Sequence, residues 1–362
     1  MRTNPMLILG IESSCDETAA SVVEDGRRIL SNIIASQHDL HGPFGGVVPE
    51  VAARAHAERI TAVVDQALRA AQVGPEKIDA VAVVNRPGLI GALLVGLSAA
   101  KGLAMAWERP LIAVDHIEAH VYAAHLAGFD VYPQLALIVS GGHTCLYRVT
   151  EPGQQSVIGQ TRDDAAGEAF DKVAKLLGLG FPGGPALSRC AEKGNPQAIQ
   201  FPRKGPAPGE QGRKGTPAMP SFDFSFSGLK TAVYYRLHPQ IGPRTRVKPP
   251  EMAPLTDSGR ADLAASFQET ACQILIDKTL QAAEHFGFKN ISVGGGVACN
   301  RRLRDLFKAQ AEPKGITVFF PAPALCADNA AMSAGLAYQH YLKGTFSELS
   351  LDVDPTPKRA SR

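Results

Sequence analysis

The sequence predicts an α/β protein built from two duplicated halves that face each other across a cleft. Three observations carry that expectation. A strand, a polar turn and two further strands occur twice, at residues 7–36 and 135–161, roughly 130 residues apart. Around these meanders, apolar residues recur at helical spacing, as in 49–71, where Val51, Ala55, Ile60, Val63, Val64 and Ala67 share one side. Glycine-bearing turns follow several of the expected strands, and open α/β sheets hold ligands just beyond strand ends.

In chain order, the apolar run 7–11 reads as a buried strand, followed by the hydroxyl-rich turn 12–18, a second strand at 20–23, and a tight Asp25-Gly26 hairpin into a third strand at 29–36. After the helix at 49–71, residues 78–84 return to strand, and 87–91 lead into a small-residue helix that reaches Leu103. The segment 110–114 is a strand, with 116–124 helix-compatible directly after it. The second meander has strands at 135–139, 145–149 and 156–161, with the turn 140–144 between the first two. Residues 261–286 read as a long amphipathic helix, 290–293 as a strand, 301–311 as a helix and 318–320 as a short strand. A last helix starts within 326–332, with Asp328 at or near its first turn, and the tail from 352 to 362 is expected to be disordered.

The chain has 362 residues, long for one core and comfortable for two. With 45% hydrophobic and 20% charged residues it has the composition of an ordinary soluble protein, and no apolar run is long enough to span a bilayer. A net charge of +2 does not mark a nucleic-acid binder. The stretches 201–220 and 238–260, however, are rich in Pro, Gly and basic residues, among them Arg203, Lys204, Arg213, Lys214, Arg244, Arg246 and Lys248, with Arg236 just before the second. Both are expected loops or insertions, either solvated by their charge or contacting phosphates. The six cysteines form no Cys-x-x-Cys pair, which excludes zinc-ribbon and thioredoxin-like motifs. With no signal or transit-type segment before Ile8, the expected compartment is the reducing cytosol.

His116 and His120 stand four residues apart, so on a helix both imidazoles share one face and can converge on one ion. The pair alone fits either a ligand set or a structural coincidence, and Glu118 is at the wrong position for the H-E-x-x-H motif of zinc proteases. Adding Asp328 would give two nitrogens and one oxygen, with positions left open for substrate. Glycine turns at 140–143, 181–185 and 294–296 can offer backbone N–H groups to phosphates, although none matches a P-loop or Rossmann fingerprint. Asp171 could accept from ribose hydroxyls or serve in a salt bridge, and Asn300 could meet a base or cap the helix at Arg301.

Gly10-Ile11-Glu12-Ser13-Ser14-Cys15-Asp16-Glu17-Thr18 and the stretches 45–50, 87–96, 116–120, 139–144, 163–172, 182–185, 223–231, 295–300 and 328–329 run collinearly along the chain. In this order they resemble the bacterial TsaD family of tRNA N(6)-adenosine threonylcarbamoyltransferases, formerly labelled O-sialoglycoprotein endopeptidases. The resemblance implies an actin-like/Hsp70-like ATPase (ASKHA) fold. Its ribonuclease-H-like halves would be residues 1–125 and 126–345, with insertions near 201–220 and 238–260 and a tail at 346–362. It implies a cytoplasmic acyltransferase that moves threonylcarbamoyl from threonylcarbamoyl-AMP to N6 of adenosine 37 in tRNAs reading codons that begin with A, releasing AMP. One divalent metal ion, iron or alternatively zinc, would be held by His116, His120 and Asp328.

Substrate contacts implied by the same resemblance are Val139, Ser140, Gly141, Gly142, His143, Asp171, Gly184 and Asn300, and Asp16 or Glu17 is the expected proton acceptor. The implied partners are tRNA, a smaller paralogous subunit and a P-loop ATPase subunit. The apolar helix 89–103 is either a docking face for such a partner or buried core. Two departures stand out: Ser188, where many relatives have aspartate, and Arg86, where relatives commonly have glycine. A small-molecule kinase of the same fold superfamily is the alternative reading, with a metalloprotease behind it.

Overall fold

The computed structural model describes residues 5–203, 221–238 and 255–357. The first meander is β1 (Leu7–Glu12), β2 (Glu17–Glu24) and β3 (Arg28–Ser36). Asp25 and Gly26 both have positive φ (49° and 65°), the conformation a two-residue hairpin of this hand requires. A short helix α1 (His38–His41) precedes α2 (Pro49–Ala71), then come β4 (Ala80–Arg86), α3 (Ile90–Ala106), β5 (Leu111–Asp115) and α4 (His116–Leu126). The second half repeats the plan with β6 (Gln134–Val139), β7 (Thr144–Glu151) and β8 (Gln154–Gln160). It continues with α5 (Ala166–Leu176), α6 (Gly183–Ala191), α7 (Ser227–Leu237), α8 (Asp257–Phe286), β9 (Asn290–Gly294), α9 (Arg301–Ala311), β10 (Thr317–Phe319), α10 (Pro323–Cys326) and α11 (Ala330–Leu342).

The two sheets have matching topologies, β3-β2-β1-β4-β5 and β8-β7-β6-β9-β10. In each, the meander is antiparallel and the last two strands add in parallel, so the repeat read from the sequence is a repeat of sheet plan. Alternate residues of each strand enter different cores. Leu7, Leu9 and Ile11 of β1 face α2 and α3, while Ile8 faces α4 and α11. Leu135, Leu137 and Val139 of β6 face the helices of the second half, while Ala136 and Ile138 pack on Ile117 and Val121 of α4.

Helices α4 and α11 therefore lie between the sheets, and they pack against each other. Their contacts amend the expected boundaries, because α11 falls within 126–345 yet lies on β1, β2 and β5 of the first sheet. The close approach depends on small residues. A Cβ on Gly10 would sit 2.5 Å from the Ala330 carbonyl oxygen and 2.9 Å from the Ala334 Cβ.

Three other expectations change. Residues 257–260, inside the expected second loop, form the first turn of α8, where the Thr256 hydroxyl accepts from the Gly259 N–H. The remainder of both expected loops, 204–220 and 239–254, lies outside the described residues. Helix α8 is not amphipathic along its middle: every residue from 263 to 276 is buried, and its polar side chains are partnered, Glu269 by Arg302 at 2.7 Å and Gln273 by Gln310 at 2.8 Å. Asp328 lies near the first turn of α11 as expected, immediately before Asn329, which caps that turn.

Finally, residues 352–357 are ordered. Val353 packs into two cores, its neighbour Asp354 donates to the Asn85 carbonyl at 3.0 Å, and Arg86 reaches Asp354 at 3.1 Å. No helix among the described residues is long and apolar enough to cross a membrane.

The contact between Gly10 and α11 makes a direct prediction. Gly10→Ala overpacks the seam between the first sheet and α11 and is expected to cost about 1–3 kcal/mol in urea unfolding. An unchanged midpoint would show that α11 can shift freely on β1.

Candidate functional site

β5 ends at Asp115, whose Oδ1 accepts the N–H groups of Ile117 and Glu118 at 2.9 and 3.1 Å and so caps α4. This starts the helix at His116 and places His120 one turn on, with the two rings 4.7 Å apart. Asp328, in the link between α10 and α11, brings its Oδ1 to 3.0 Å from His120 Nε2 and 3.7 Å from His116 Nε2. The candidate ligand atoms of these three residues all lie within 4.8 Å of one another. Two imidazole nitrogens and a carboxylate oxygen in one pocket fit a divalent ion and leave coordination positions for substrate. The buried Nδ1 of His120 has no hydrogen-bond partner, so that ring is held by packing and by its Nε2 side.

Glu12, at the end of β1, completes the cluster and was not anticipated. Its Oε2 lies 3.0 Å from His116 Nδ1, with the Ser14 hydroxyl at 3.2 Å, while its Oε1 accepts the Ser14 N–H at 2.6 Å. A carboxylate behind one ring nitrogen fixes the proton there and turns the other nitrogen toward a cation. Burial pushes the His116 imidazole down, but the Glu12 and Asp328 carboxylates outweigh it and lift it to about 10. Burial would raise Asp328, yet His116 and His120 hold it below the usual carboxylate range. The pocket is built to stabilise positive charge. A signal for Glu12 existed in the sequence, since a buried carboxylate ending an all-apolar strand needs a partner.

The turn after β6 adjoins this pocket. The Ser140 N–H donates to the His143 carbonyl at 2.8 Å and the Ser140 hydroxyl accepts the His143 N–H at 3.2 Å. Gly141 and Gly142 are exposed, and a Cβ on either would meet nothing within 4 Å, so bare backbone faces open space. The turn is buttressed from behind. Gly295 has φ +88°, and a Cβ there would lie 2.3 Å from the Val139 carbonyl oxygen. The His143 ring is 6.3 Å from that of His116, and burial together with the neighbouring imidazoles lowers it to about 4, so it is neutral at physiological pH.

Asp171, on α5, uses Oδ1 to accept the N–H groups of Gly183 and Gly184 at 2.8 and 3.2 Å, so it anchors the start of α6 rather than forming a salt bridge. Asn300 takes its capping role, accepting the Leu303 N–H at 3.0 Å, and its amide also donates to Ser188 Oγ at 3.0 Å and Gln268 Oε1 at 2.9 Å. Ser188, Gln268 and Asn300 line a cavity of about 390 Å³. Gln268, from buried α8, was not anticipated because its helix was expected to expose its polar residues. Of the basic residues singled out, Arg203 and Arg236 are exposed, and Lys204, Arg213, Lys214, Arg244, Arg246 and Lys248 lie outside the described residues.

Asp16, ending the turn after β1, and Glu17, opening β2, have an unanticipated neighbour, His38, whose Nε2 is 3.2 Å from Glu17 Oε1 and 3.7 Å from Asp16 Oδ2. Burial pushes the Glu17 carboxyl up to about 8 against the His38 hydrogen bond, helped by the charges of Asp328 and Asp16. The electrostatic reach of Asp328 ties this turn to the histidine pocket.

A duplicated α/β architecture with two helices buried between its sheets is that of the actin-like/Hsp70-like fold, here with a candidate metal centre where the halves meet. The profile of TsaD, described as tRNA N6-adenosine threonylcarbamoyltransferase, matches residues 28–335, and the chain belongs to that family. A tRNA N6-adenosine threonylcarbamoyltransferase of Syntrophotalea carbinolica is 51% identical over 351 residues, covering 96% of this chain and 95% of the relative. One from Symbiobacterium thermophilum is 49% identical over 353 residues, covering 96% of each. Among solved structures, T. kodakarensis HypF superposes with a TM-score of 0.58 at 14% identity, covering 94% of this chain and 49% of that one. Component A of the Acidaminococcus fermentans (R)-2-hydroxyglutaryl-CoA dehydratase gives 0.50 at 15% identity, covering 93% and 99%. At such identities these two share the fold alone.

The raised Glu17 carboxyl makes a pH prediction. Its folded pKa lies above the ordinary 4.5, so between 4.5 and about 8 the folded state keeps a proton the unfolded chain has released, and stability falls as pH rises through that window. Metal-free wild-type protein should therefore lose more melting temperature across it than Glu17→Gln. Parallel curves for the two proteins would remove the effect.

Proposed function

We propose that this chain transfers the threonylcarbamoyl group from threonylcarbamoyl-AMP to N6 of adenosine 37 in tRNAs that read codons beginning with A, releasing AMP. Near-full-length identity of 51% to a named tRNA N6-adenosine threonylcarbamoyltransferase carries this reading, and the convergence of His116, His120 and Asp328 supports it. In the reaction the adenine amine attacks the carbamoyl carbon, a C–N bond forms, and the C–O bond to phosphate breaks with its electrons leaving on AMP. The donor is a mixed anhydride with a good leaving group, so the protein's task is orientation and charge compensation.

His116, His120 and Asp328 would hold one divalent ion per subunit, iron by preference or zinc, which supplies positive charge for substrate oxygens when bound. The bare backbone of Ser140–His143 would receive the phosphate, and neutral His143 adds a donor or acceptor without adding charge. Asp171 and Gly184 would shape the ribose end, and Asn300 the base end beside its cavity. Asp16 or Glu17 would take the amine's proton, Glu17 in the fraction that ionises as the pH approaches about 8, with half-exposed His38 as the route to water. In partner assembly with a smaller paralogous subunit and a P-loop ATPase subunit, the outer side of α3 offers Ile90, Leu94 and Met105 as contacts, while its inner side is core.

The test is transfer to tRNA transcripts by the assembled complex. His116→Ala should lose bound metal and at least about 100-fold in transfer rate, by the size of effect that loss of charge stabilisation has elsewhere. Full activity without metal rejects the site. Glu12→Gln should weaken metal affinity about 10- to 100-fold while leaving the far-UV spectrum unchanged. A normal rate in both Asp16→Asn and Glu17→Gln removes these carboxylates as proton acceptors.

A further inference from the structure

All six cysteines lie in described parts of the chain, and they are not equivalent. Cys145 and Cys272 are buried among apolar side chains, which pushes their thiols up. Burial also raises Cys15 and Cys190. Cys299 differs. It is exposed at the end of the turn that follows the glycine run, next to Asn300. The neighbouring Cys326 thiol, outweighing partial burial and aided by the Arg304 guanidinium, brings the Cys299 thiol down to about 7, and the same interaction together with burial pushes Cys326 up.

Cys326 ends α10 and is fully buried. The two cysteines thus sit on segments that pack against each other, one reachable from solvent and the other shielded. Arg304 braces the pair. Its Nε donates to the Ala298 carbonyl at 2.6 Å, while its Nη2 donates to the Pro321 carbonyl at 3.0 Å and lies 3.6 Å from Cys326 Sγ. The guanidinium therefore ties both cysteine-bearing loops together and sets a fixed positive charge beside the sulfurs, the environment in which a thiolate is favoured. The turn 296–299 packs against α10, so the two cysteine-bearing segments already adjoin, the first requirement for a disulfide.

We propose that Cys299 is a site of oxidation by hydrogen peroxide, and that Cys326 resolves the product into a Cys299–Cys326 disulfide joining the Asn300 loop to the Asp328 loop. In the first step the Cys299 thiolate attacks a peroxide oxygen. The S–O bond forms as the O–O bond breaks, and the departing hydroxide takes a proton and leaves as water. Sulfur is oxidised by two electrons to a sulfenic acid and the peroxide is reduced. In the second step the Cys326 sulfur attacks Cys299, the S–S bond forms, the S–O bond breaks, and hydroxide leaves as water with the Cys326 proton. Two thiols and one peroxide give one disulfide and two waters.

Buried Cys326 also protects Cys299, since a sulfenic acid with no resolving thiol proceeds to the irreversible sulfinic acid. Neither cysteine takes part in the transfer chemistry, so the chemical readout is independent of that function.

The experiment treats the full-length protein with hydrogen peroxide, blocks free thiols by alkylation, and maps peptides by mass spectrometry without reduction. The expected result is a Cys299–Cys326 cross-linked peptide pair lighter by two hydrogens, reversed by dithiothreitol, with the other four cysteines still alkylated. Cys326→Ser, checked for folding by its melting curve, should give sulfinic acid at Cys299 and no cross-link. Three results overturn the proposal: wild-type Cys299 remaining reduced, wild-type Cys299 reaching the sulfinic acid without cross-linking, or another cysteine reacting first.

Discussion

Helix α4 is buried between two sheets, yet it carries the paired His116 and His120 and meets two carboxylates, and an interior tolerates such groups only when they compensate one another. Glu12 comes from the first strand, His116 and His120 from the helix after the fifth, and Asp328 from a link near the end of the chain. Three distant stretches must therefore close in a single register before the charges are satisfied. The same closure builds the site. A change that separates the halves leaves a buried carboxylate facing nothing, so packing between halves and competence of the pocket are one property measured in two ways.

Small residues permit this closure. Gly10 lets β1 lie against α11, and a Cβ on Gly294 of β9 would come within 3.2 Å of the His120 carbonyl oxygen, so each sheet approaches one of the two buried helices at a glycine. Alanines dominate the buried face of α11, where Ala330, Ala331, Ala334 and Ala337 are all inaccessible. With no large side chains between backbone and backbone, the helix carrying the histidines is positioned by main-chain contact, which transmits little play. A His pair on a surface helix would have the same spacing and none of this constraint.

Much of this was legible in the sequence because it is periodic or local. The doubled meander, the helix Pro49–Ala71, the Asp25-Gly26 hairpin and the helix Arg301–Ala311 all follow from spacing and turn chemistry. The pairing of His116 with His120 is also local, whereas the arrival of Asp328 was supplied by family resemblance and not by any pattern along the chain. Glu12, His38 and Gln268 were missed since each acquires meaning only through a tertiary partner. Helix α6 was hidden by its Gly-Gly-Pro start, which reads as a turn, and becomes helical because Asp171 accepts its first N–H groups. Buried polar residues on α8 imitate an exposed face for the same reason: hydrogen bonding across helices is invisible to a hydropathy pattern.

Arg86 shows how a departure from relatives can be absorbed into the frame. Where the family resemblance led us to expect glycine, this arginine lies 3.5 Å from Asp115 and 3.1 Å from Asp354, and it donates to the Thr356 carbonyl at 3.1 Å. Asp115 is the residue that caps α4, so the returning tail stands one ion pair away from the first histidine of the pocket. The accessible Arg86–Asp354 pair contributes little by itself, and tail docking rests instead on Val353 entering two cores and on Asp354 pairing with the Asn85 backbone. Arg86 adds direction to that docking. By joining Asp354 to Asp115 it selects one register of the tail against β4, and it places a fixed cation behind the cap, where it offsets a buried carboxylate without competing for the oxygen that holds the helix N-terminus.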